Sequence, residues 1–114
     1  MAYDDGNIFA KILNMEIPAK IVYQDEMILA FHDAFPVAPV HVLVIPKGKY
    51  TDFDDFISNA GESDILYYFK KVKEIAKDLN LDDYRIMTNK GSGSGQTVFH
   101  FHTHIISGNN LKKN

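Results

Sequence analysis

Three histidines at alternate positions near the end of the chain have the spacing that most clearly suggests chemistry. They are His100, His102 and His104, three of the five histidines in the sequence. The residues between and around them favour β-strands, and successive strand side chains point to opposite faces. We therefore predict a strand within residues 96–108 that carries the three imidazoles on one face. The other face then carries Phe99, Phe101, Thr103 and Ile105.

A row of imidazoles is poorly suited to an apolar core, because each ring nitrogen needs a hydrogen-bond partner. The plain alternative is a wet sheet face that happens to carry histidines. Two kinds of site could also use them. His-x-His on a strand can supply zinc ligands, and a row of imidazoles can hold a nucleophile with its acid and its orienting partner.

A glycine- and serine-rich run comes directly before the histidines. Residues 90–95 read Lys-Gly-Ser-Gly-Ser-Gly, without the Gly-Lys-Ser/Thr of a Walker loop and without Gly-x-Gly-x-x-Gly spacing. Such a run between strands is usually a flexible connection. Glycines also let backbone N–H groups approach an anion closely, so a phosphate-binding loop is the second interpretation.

The first part of the chain predicts a short helix and three strands that must position these residues. Asn7 can cap a helix with an apolar stripe over residues 8–13, and Pro18 blocks its continuation. Strand-like runs at 20–23 and 27–32 flank a short polar loop and predict a hairpin. A third strand is predicted at 40–45, where alternation places His41 on one face with Leu43 and Ile45.

The central part predicts one long helix, over residues 63–79. Its apolar stripe follows helical spacing and consists of Ile65, Phe69, Val72, Ala76 and Leu79. Leu66, Tyr68 and Ile75 widen the stripe, which suggests apolar surface for a second chain. At most one helical turn is expected at 54–57, and a fourth strand at 84–89. These elements predict an α+β fold with about five mostly antiparallel strands.

The composition limits the classes of protein that this chain can belong to. It has 114 residues, 46% of them hydrophobic, and a net charge of −3. We predict a single domain over 1–114 with no nucleic-acid partner, since binders of nucleic-acid backbones are strongly basic. No apolar run approaches 18 residues, so no membrane partner is expected. The absence of cysteine and of a secretory signal at the N-terminus favours the cytoplasm.

The histidine segment resembles the signature of the histidine-triad (HIT) family, in which three histidines alternate with apolar residues. The resemblance extends over nearly the whole chain, and the matching segments look like the Hint branch of that family. They are Asn7-Ile8-Phe9-Ala10-Lys11-Ile12, Glu16-Ile17-Pro18-Ala19-Lys20, Leu29-Ala30-Phe31-His32-Asp33, Pro39-Val40-His41-Val42-Leu43-Val44-Ile45-Pro46-Lys47 and residues 89–97.

The resemblance implies a two-fold dimer that hydrolyses purine nucleoside phosphoramidates, such as AMP or GMP joined to an amine. No metal or other cofactor is expected, because the sequence has no Cys and no obvious carboxylate beside the three histidines to support them as ligands. The middle histidine, His102, is expected to attack phosphorus and form a covalent nucleotidyl-histidine that water then releases. His104 is expected near the bridging atom as acid or charge stabiliser. His100 and His41 are expected to fix the ring of His102.

The resemblance also implies the residues that bind the nucleotide. Asp33 is expected to hold the ribose hydroxyls, although an ordinary turn aspartate fits the same sequence. Phosphate or leaving-group contacts are expected from Asn89, Gly95, Gln96 and Thr97. The base is expected between Ile8, Phe9, Leu13, Ile17 and Phe31, with His32 as a pocket wall. Plain core packing remains the alternative for the helical stripe.

Two departures from the family pattern bear on specificity. Thr103 stands where the signature has an apolar residue, and the tail at 109–114 is short and polar, without the Trp-containing end of many Hint proteins. Three other functions remain open: hydrolysis of dinucleoside polyphosphates, a nucleotide-binding scaffold with vestigial activity, and a zinc protein that uses the three histidines.

Overall fold

The computed structural model describes residues 2–108 and 111 as a five-stranded antiparallel sheet with helices on both faces. The helices are α1 (Ile8–Leu13), α2 (Phe53–Asn59) and α3 (Glu62–Asp78). The strands are β1 (Ile21–Gln24), β2 (Ile28–His32), β3 (Val40–Pro46), β4 (Arg85–Met87) and β5 (Thr103–Ser107). The sheet order is β1-β2-β3-β5-β4, with every neighbouring pair antiparallel. The predicted α+β fold is confirmed; α2 is longer than the single turn expected there.

The two faces of the sheet carry different sets of side chains. Val42 and Val44 of β3 face α2 and α3 in the larger core, with Phe56, Tyr68, Val72, Ile75, Ala76, Phe101 and Ile105. Leu43 and Ile45 point the other way and pack with Phe9 of α1. His41 shares this second face, as the alternation along β3 predicts. The histidine side of the sheet is therefore the side that α1 covers.

The predicted histidine strand is too long at its start. Strand β5 begins at Thr103, so only His104 of the three histidines lies on it. Before that point the backbone leaves the ladder, since Phe101 N–H donates to Tyr50 O at 2.7 Å instead of to a strand neighbour. Strand β4 is likewise shorter than predicted and ends at Met87. The rings of His100 and His102 are thus positioned by individual hydrogen bonds, not by a β-ladder.

Helix α3 packs its predicted stripe against the larger core. Val72 and Ala76 of that stripe are buried, and the rest is partly buried there: Ile65, Phe69 and Leu79. The buried residues of α3 are Tyr68, Val72, Ile75 and Ala76. Tyr68 donates to Val44 O at 2.7 Å and its hydroxyl lies 2.9 Å from Thr103 Oγ1, so the Thr103 hydroxyl has a buried hydrogen-bond partner. Tyr68 and Ile75 therefore offer no surface to a second chain, which corrects that interpretation; Leu66 remains 56% exposed.

Two further points concern the limits of the chain. Of the polar tail, residues 109, 110 and 112–114 lie outside the described residues, so the departure noted there has no structural account. Over 2–108 and 111, no helix combines the length and the apolar character that crossing a membrane requires.

Candidate active site

His102 is held by a main-chain group. Its Nδ1 lies 2.7 Å from the carbonyl oxygen of His100. Because a carbonyl only accepts, Nδ1 must carry the proton, and Nε2 of the neutral ring keeps a free lone pair. The ring is 8% exposed and meets the edge of Phe9 at 4.8 Å between centroids. An imidazole fixed in this tautomer is ready to act as a nucleophile through Nε2.

The ring of His100 has partners at both nitrogens. Nε2 donates to Pro46 O at 2.7 Å, and Nδ1 accepts from the hydroxyl of Tyr3 at 2.6 Å. The side chain is fully buried. The His100 ring is expected to fix His102, but it does not contact that ring through a hydrogen bond. The main-chain carbonyl of His100 fixes it instead. No sequence pattern indicated Tyr3, which lies 97 residues away from His100 along the chain.

His41 and His104 form a second pair. Val37 N–H donates to His41 Nδ1 at 3.1 Å, so the proton of a neutral His41 must lie on Nε2. That Nε2 is 2.8 Å from His104 Nδ1 and 3.3 Å from Asp33 Oδ2. His104 accepts at Nδ1 and therefore carries its own proton on Nε2. His41 thus supports His104 and not His102, which corrects the predicted partner.

Burial keeps the triad neutral at physiological pH. Loss of solvation lowers the pKa of His100 to about 4, with a smaller contribution from the nearby His102. Burial also lowers the pKa of His104 to about 4, helped by the charges that His102 and His41 would carry. The pKa of His102 is lowered by burial too, while its bond to the His100 carbonyl and the charge of Asp33 oppose the shift.

The hydrogen bonds argue against zinc at these rings. Asp33, His41 and His104 place one potential ligand atom each within 4.8 Å of one another. A metal on His41 Nε2 would need the proton on Nδ1, yet Val37 N–H already points at that atom. The alternative set of all three triad histidines fails at His100, where both nitrogens are engaged within the protein. Neither of these two sets of described residues fits a metal ion.

Asp33 lies in the histidine cluster and His32 does not. Asp33 Oδ1 accepts from Phe35 N–H at 2.8 Å, the bond of an ordinary turn aspartate, while Oδ2 faces His41. His32 pairs with Val42 in the sheet register. Because Val42 faces α2 and α3, the alternation along β2 puts His32 on the face opposite His41.

The aromatic residues expected to clamp a base are mostly core residues. Phe9 and Phe31 pack edge to face at 5.5 Å and are 6% and 3% exposed. They form an apolar floor in which Phe9 packs edge-on against the His102 ring, and little of their surface is left for a ligand. Ile8 is 52% exposed, and Leu13 and Ile17 are half-buried, so these three aliphatic side chains offer more contact area.

Gln96 is part of the loop's own support. Its Oε1 accepts from Gly91 N–H at 2.8 Å, and its Nε2 donates to Thr51 O at 2.8 Å and Val98 O at 3.0 Å. The side chain is 3% exposed. These bonds fasten the glycine-rich loop to the segment before α2. They correct the predicted contact between Gln96 and phosphate.

Much of the backbone of the glycine-rich loop is hydrogen-bonded within the loop itself. Its centre is a single 3₁₀ turn, Ser92–Ser94. The N–H groups of Ser94 and Gln96 donate to Gly91 O, and that of Gly95 donates to Ser92 O. These three groups therefore cannot form the phosphate cradle that was considered. Gly95 has φ 94°, and a Cβ there would lie 3.6 Å from Asn89 Nδ2, so these two residues are neighbours. Thr97 is exposed beyond them.

Known proteins resemble this chain closely. A family model described as "HIT domain" matches residues 14–111. An uncharacterized HIT-like protein of Rickettsia prowazekii is 52% identical over 111 residues, covering 96% of this chain and 92% of that protein. The solved structure of a HIT family hydrolase from Clostridium thermocellum has a TM-score of 0.83 at 35% identity, covering 97% of both chains. A histidine triad nucleotide-binding protein from Candida albicans has a TM-score of 0.79 at 29% identity, covering 88% of this chain and 73% of its own.

Proposed function

The chain belongs to the HIT domain family, and we propose that it hydrolyses purine nucleoside 5′-phosphoramidates, in which AMP or GMP is joined to an amine through a P–N bond. One observation carries the proposal. The bond from His102 Nδ1–H to the His100 carbonyl leaves Nε2 as a free lone pair beside the His104 ring, 5.1 Å away between centroids. A nucleophile and a proton-bearing group are thus adjacent, as attack on a phosphorus centre requires.

In the first step His102 Nε2 attacks the α-phosphorus. A P–N bond to the imidazole forms as the P–N bond to the amine breaks. The product is a covalent nucleotidyl-histidine whose Nδ1–H remains bonded to the His100 carbonyl. That carbonyl stabilises the positive charge that the ring gains on attack, because a charged donor forms the stronger hydrogen bond.

His104 is proposed to supply the proton that the leaving amine needs. In the free protein the ring is neutral and already receives the His41 Nε2–H. An anionic phosphate in the site favours one added proton on this pair. His104 Nδ1 can take that proton because the His41 N–H has a second acceptor, Asp33 Oδ2 at 3.3 Å. His104 then passes its Nε2 proton to the amine.

In the second step water attacks the same phosphorus and displaces His102. His104, left neutral by the first step, takes a proton from the water as the P–O bond forms. The P–N bond to His102 breaks, and its electron pair returns to Nε2. The products are the amine and the nucleoside monophosphate, and both rings regain their starting protons once the added proton leaves with the product.

The nucleotide is proposed to contact the residues around the histidine cluster. Asp33 is proposed to accept from the ribose hydroxyls, since its carboxylate is partly exposed beside His41. Asn89 and Thr97 are proposed to contact phosphate. Gly95, whose N–H already donates to Ser92 O, is proposed only to leave room beside Asn89. Ile8, Leu13 and Ile17 are proposed to cover the base above the Phe9 and Phe31 floor.

The proposal is tested by comparing kcat/KM over adenosine and guanosine phosphoramidates and diadenosine polyphosphates. We expect the phosphoramidates to be the better substrates and rapid quenching to trap a nucleotidyl adduct by intact mass. Preference for the polyphosphates would make the second enzyme function the right one. Absence of turnover and adduct would leave a nucleotide-binding scaffold. Dialysis against a chelator is expected to leave turnover unchanged.

We also propose a homodimer that joins at the β4 edge of the sheet. β4 is the last strand in the sheet order; Tyr84, just before it, is 39% exposed, and Ile86, within it, is 42% exposed. Light scattering at micromolar concentration is expected to give about twice the chain mass of 12.9 kDa; a monomer mass would refute it. A cytoplasmic location, proposed from the lack of cysteine, is tested by cell fractionation with a periplasmic marker.

A further inference from the structure

Tyr3 contacts the histidine cluster from the far end of the chain. Its hydroxyl lies 2.6 Å from His100 Nδ1, and the two rings meet edge-on with centroids 5.6 Å apart. Because His100 Nε2 donates to the Pro46 carbonyl, Nδ1 must be the acceptor and the tyrosine hydroxyl the donor. The match to the family model begins at residue 14, so it does not include this contact.

Residues 3–7, here called the N-terminal strap, are anchored at several points. Asn7 donates to Asp4 O from its backbone N–H at 3.2 Å and from Nδ2 at 2.8 Å. Asn7 also caps α1 by accepting from Ala10 N–H at 3.0 Å. Asp5 forms an ion pair at 2.8 Å with Lys49, in the segment that follows β3. The strap therefore presents Tyr3 to His100 from fixed neighbours.

We infer that Tyr3 is a positioning residue: by holding the His100 ring, it fixes the His100 carbonyl that orients His102. The His100 ring is clamped at one nitrogen by Tyr3 and at the other by Pro46. The carbonyl of the same residue is 2.7 Å from His102 Nδ1. A shift of His100 therefore changes the direction of the His102 lone pair. The inference rests on the proposed function, since it takes His102 as the nucleophile.

The direct test removes the hydroxyl and keeps the ring, as Tyr3→Phe. The measured quantities are the single-turnover rate of adduct formation with an adenosine phosphoramidate and the affinity for AMP. We expect a rate about tenfold lower, equivalent to about 1.4 kcal/mol of barrier, with AMP affinity within about twofold of wild type. A misdirected nucleophile slows attack without changing the nucleotide contacts.

Tyr23→Phe is the matched control. The Tyr23 hydroxyl donates to Asp25 Oδ2 at 2.8 Å, on the β1–β2 hairpin, so this variant loses a comparable bond away from the histidines. It is expected to keep both rate and affinity within about twofold. A Tyr3→Phe protein with the wild-type rate overturns the inference. So does one in which rate and AMP affinity fall together, because that pattern belongs to general loss of structure.

Imidazole ¹⁵N NMR separates failure of this inference from failure of the proposed function. If wild type forms no adduct with any phosphoramidate, the proposed function fails, but the tautomer of His102 can still be observed. Tyr3→Phe is expected to shift the ring ¹⁵N signals of both His100 and His102, while Tyr23→Phe shifts neither. A change confined to His100 would overturn the inference, because the effect would then not reach the nucleophile.

Discussion

The two halves of the histidine cluster are held in different ways. His100 and His102 are buried, and the ring of His102 is oriented by a backbone carbonyl. His104 is oriented by His41, which also lies beside a carboxylate. A carbonyl oxygen accepts a hydrogen bond but does not take up the proton. A proton between two imidazoles beside a carboxylate, in contrast, can be transferred. The first half is therefore suited to a fixed nucleophile, and the second to proton transfer.

The strongest test of this distinction is to remove His102, the proposed nucleophile. His102→Ala is expected to lower kcat by several orders of magnitude, while AMP binding stays close to wild type because the base and ribose contacts remain. Calorimetry with AMP and turnover of an adenosine phosphoramidate measure the two effects. His32→Ala, a histidine on the opposite face, is the control and should keep its activity. More than about a tenth of wild-type kcat in His102→Ala would show that another residue attacks.

The second prediction concerns the His41–His104 half, which is proposed to transfer protons. His104→Gln is expected to lower kcat by about 10²-fold or more with an alkylamine leaving group, the size of a general acid contribution. The loss should be smaller with an aromatic amine, which leaves more readily without full protonation. Comparison of the two substrates in His104→Gln and in wild type measures this. Equal losses on both substrates would assign His104 to binding instead of proton transfer.

The buried half should also make stability depend on pH. The native His100 ring stays neutral down to about pH 4, while the unfolded ring gains a proton below its ordinary pKa of 6.5. Stability is therefore full above pH 6.5 and falls as the pH drops towards 4, by roughly 3 kcal/mol from His100 alone. Urea unfolding of wild type and His100→Asn at pH 7 and pH 4 measures the difference. The free energy of unfolding should change less between pH 7 and pH 4 in His100→Asn than in wild type.

Asp25 does not obscure this pH window. Burial would raise the pKa of Asp25, but hydrogen bonds from Tyr67, Tyr23 and two backbone N–H groups outweigh it and hold the pKa at about 2. Its contribution to stability is present above the unfolded value of 3.8 and is lost only below it. If the pH dependence of the unfolding free energy is the same in His100→Asn as in wild type, the His100 ring is not held buried and neutral in solution.

The smallest expected effect tests whether Asp33 binds the ribose hydroxyls. Wild type should bind AMP about ten- to a hundredfold more tightly than 2′-deoxy-AMP. Without the 2′-hydroxyl, the Asp33 carboxylate loses one charge-assisted hydrogen bond. Asp33→Asn keeps an acceptor for the Phe35 N–H and should lose most of this preference. Asp25→Asn is a matched turn control. If wild type binds both ligands equally, Asp33 serves only the turn and His41.

Periodicity was a good guide to which face a side chain occupies. The two-residue alternation in β3 separated His41 from the valines, and the same alternation separated the histidines from Phe101 and Ile105. It held even where no strand formed, because an extended backbone alternates its side chains with or without a ladder. The centre of the predicted α3 stripe was displaced from the most buried side of the helix. Tyr68, predicted at the border of the stripe, points into the core and its hydroxyl donates to Val44 O.

Hydrogen-bond partners were not predictable in the same way. The partner of His100 is Tyr3, and that of Gln96 is the backbone of Thr51, 45 residues away. Such contacts depend on the positions of single atoms after folding, and no local pattern encodes them. The same holds for His41, whose strand was predicted but whose ring meets His104.

The main-chain groups around the histidines have a consequence for how this sequence can change over generations. The N–H of Val37 and the carbonyl of Pro46 fix the protons of two histidines, and neither contribution uses a side chain. Every amino acid offers a carbonyl, and every one except proline offers an N–H. Position 46 is thus free to drift as far as this bond is concerned, and position 37 excludes only proline. A search for inherited catalytic positions by side-chain identity would pass over both.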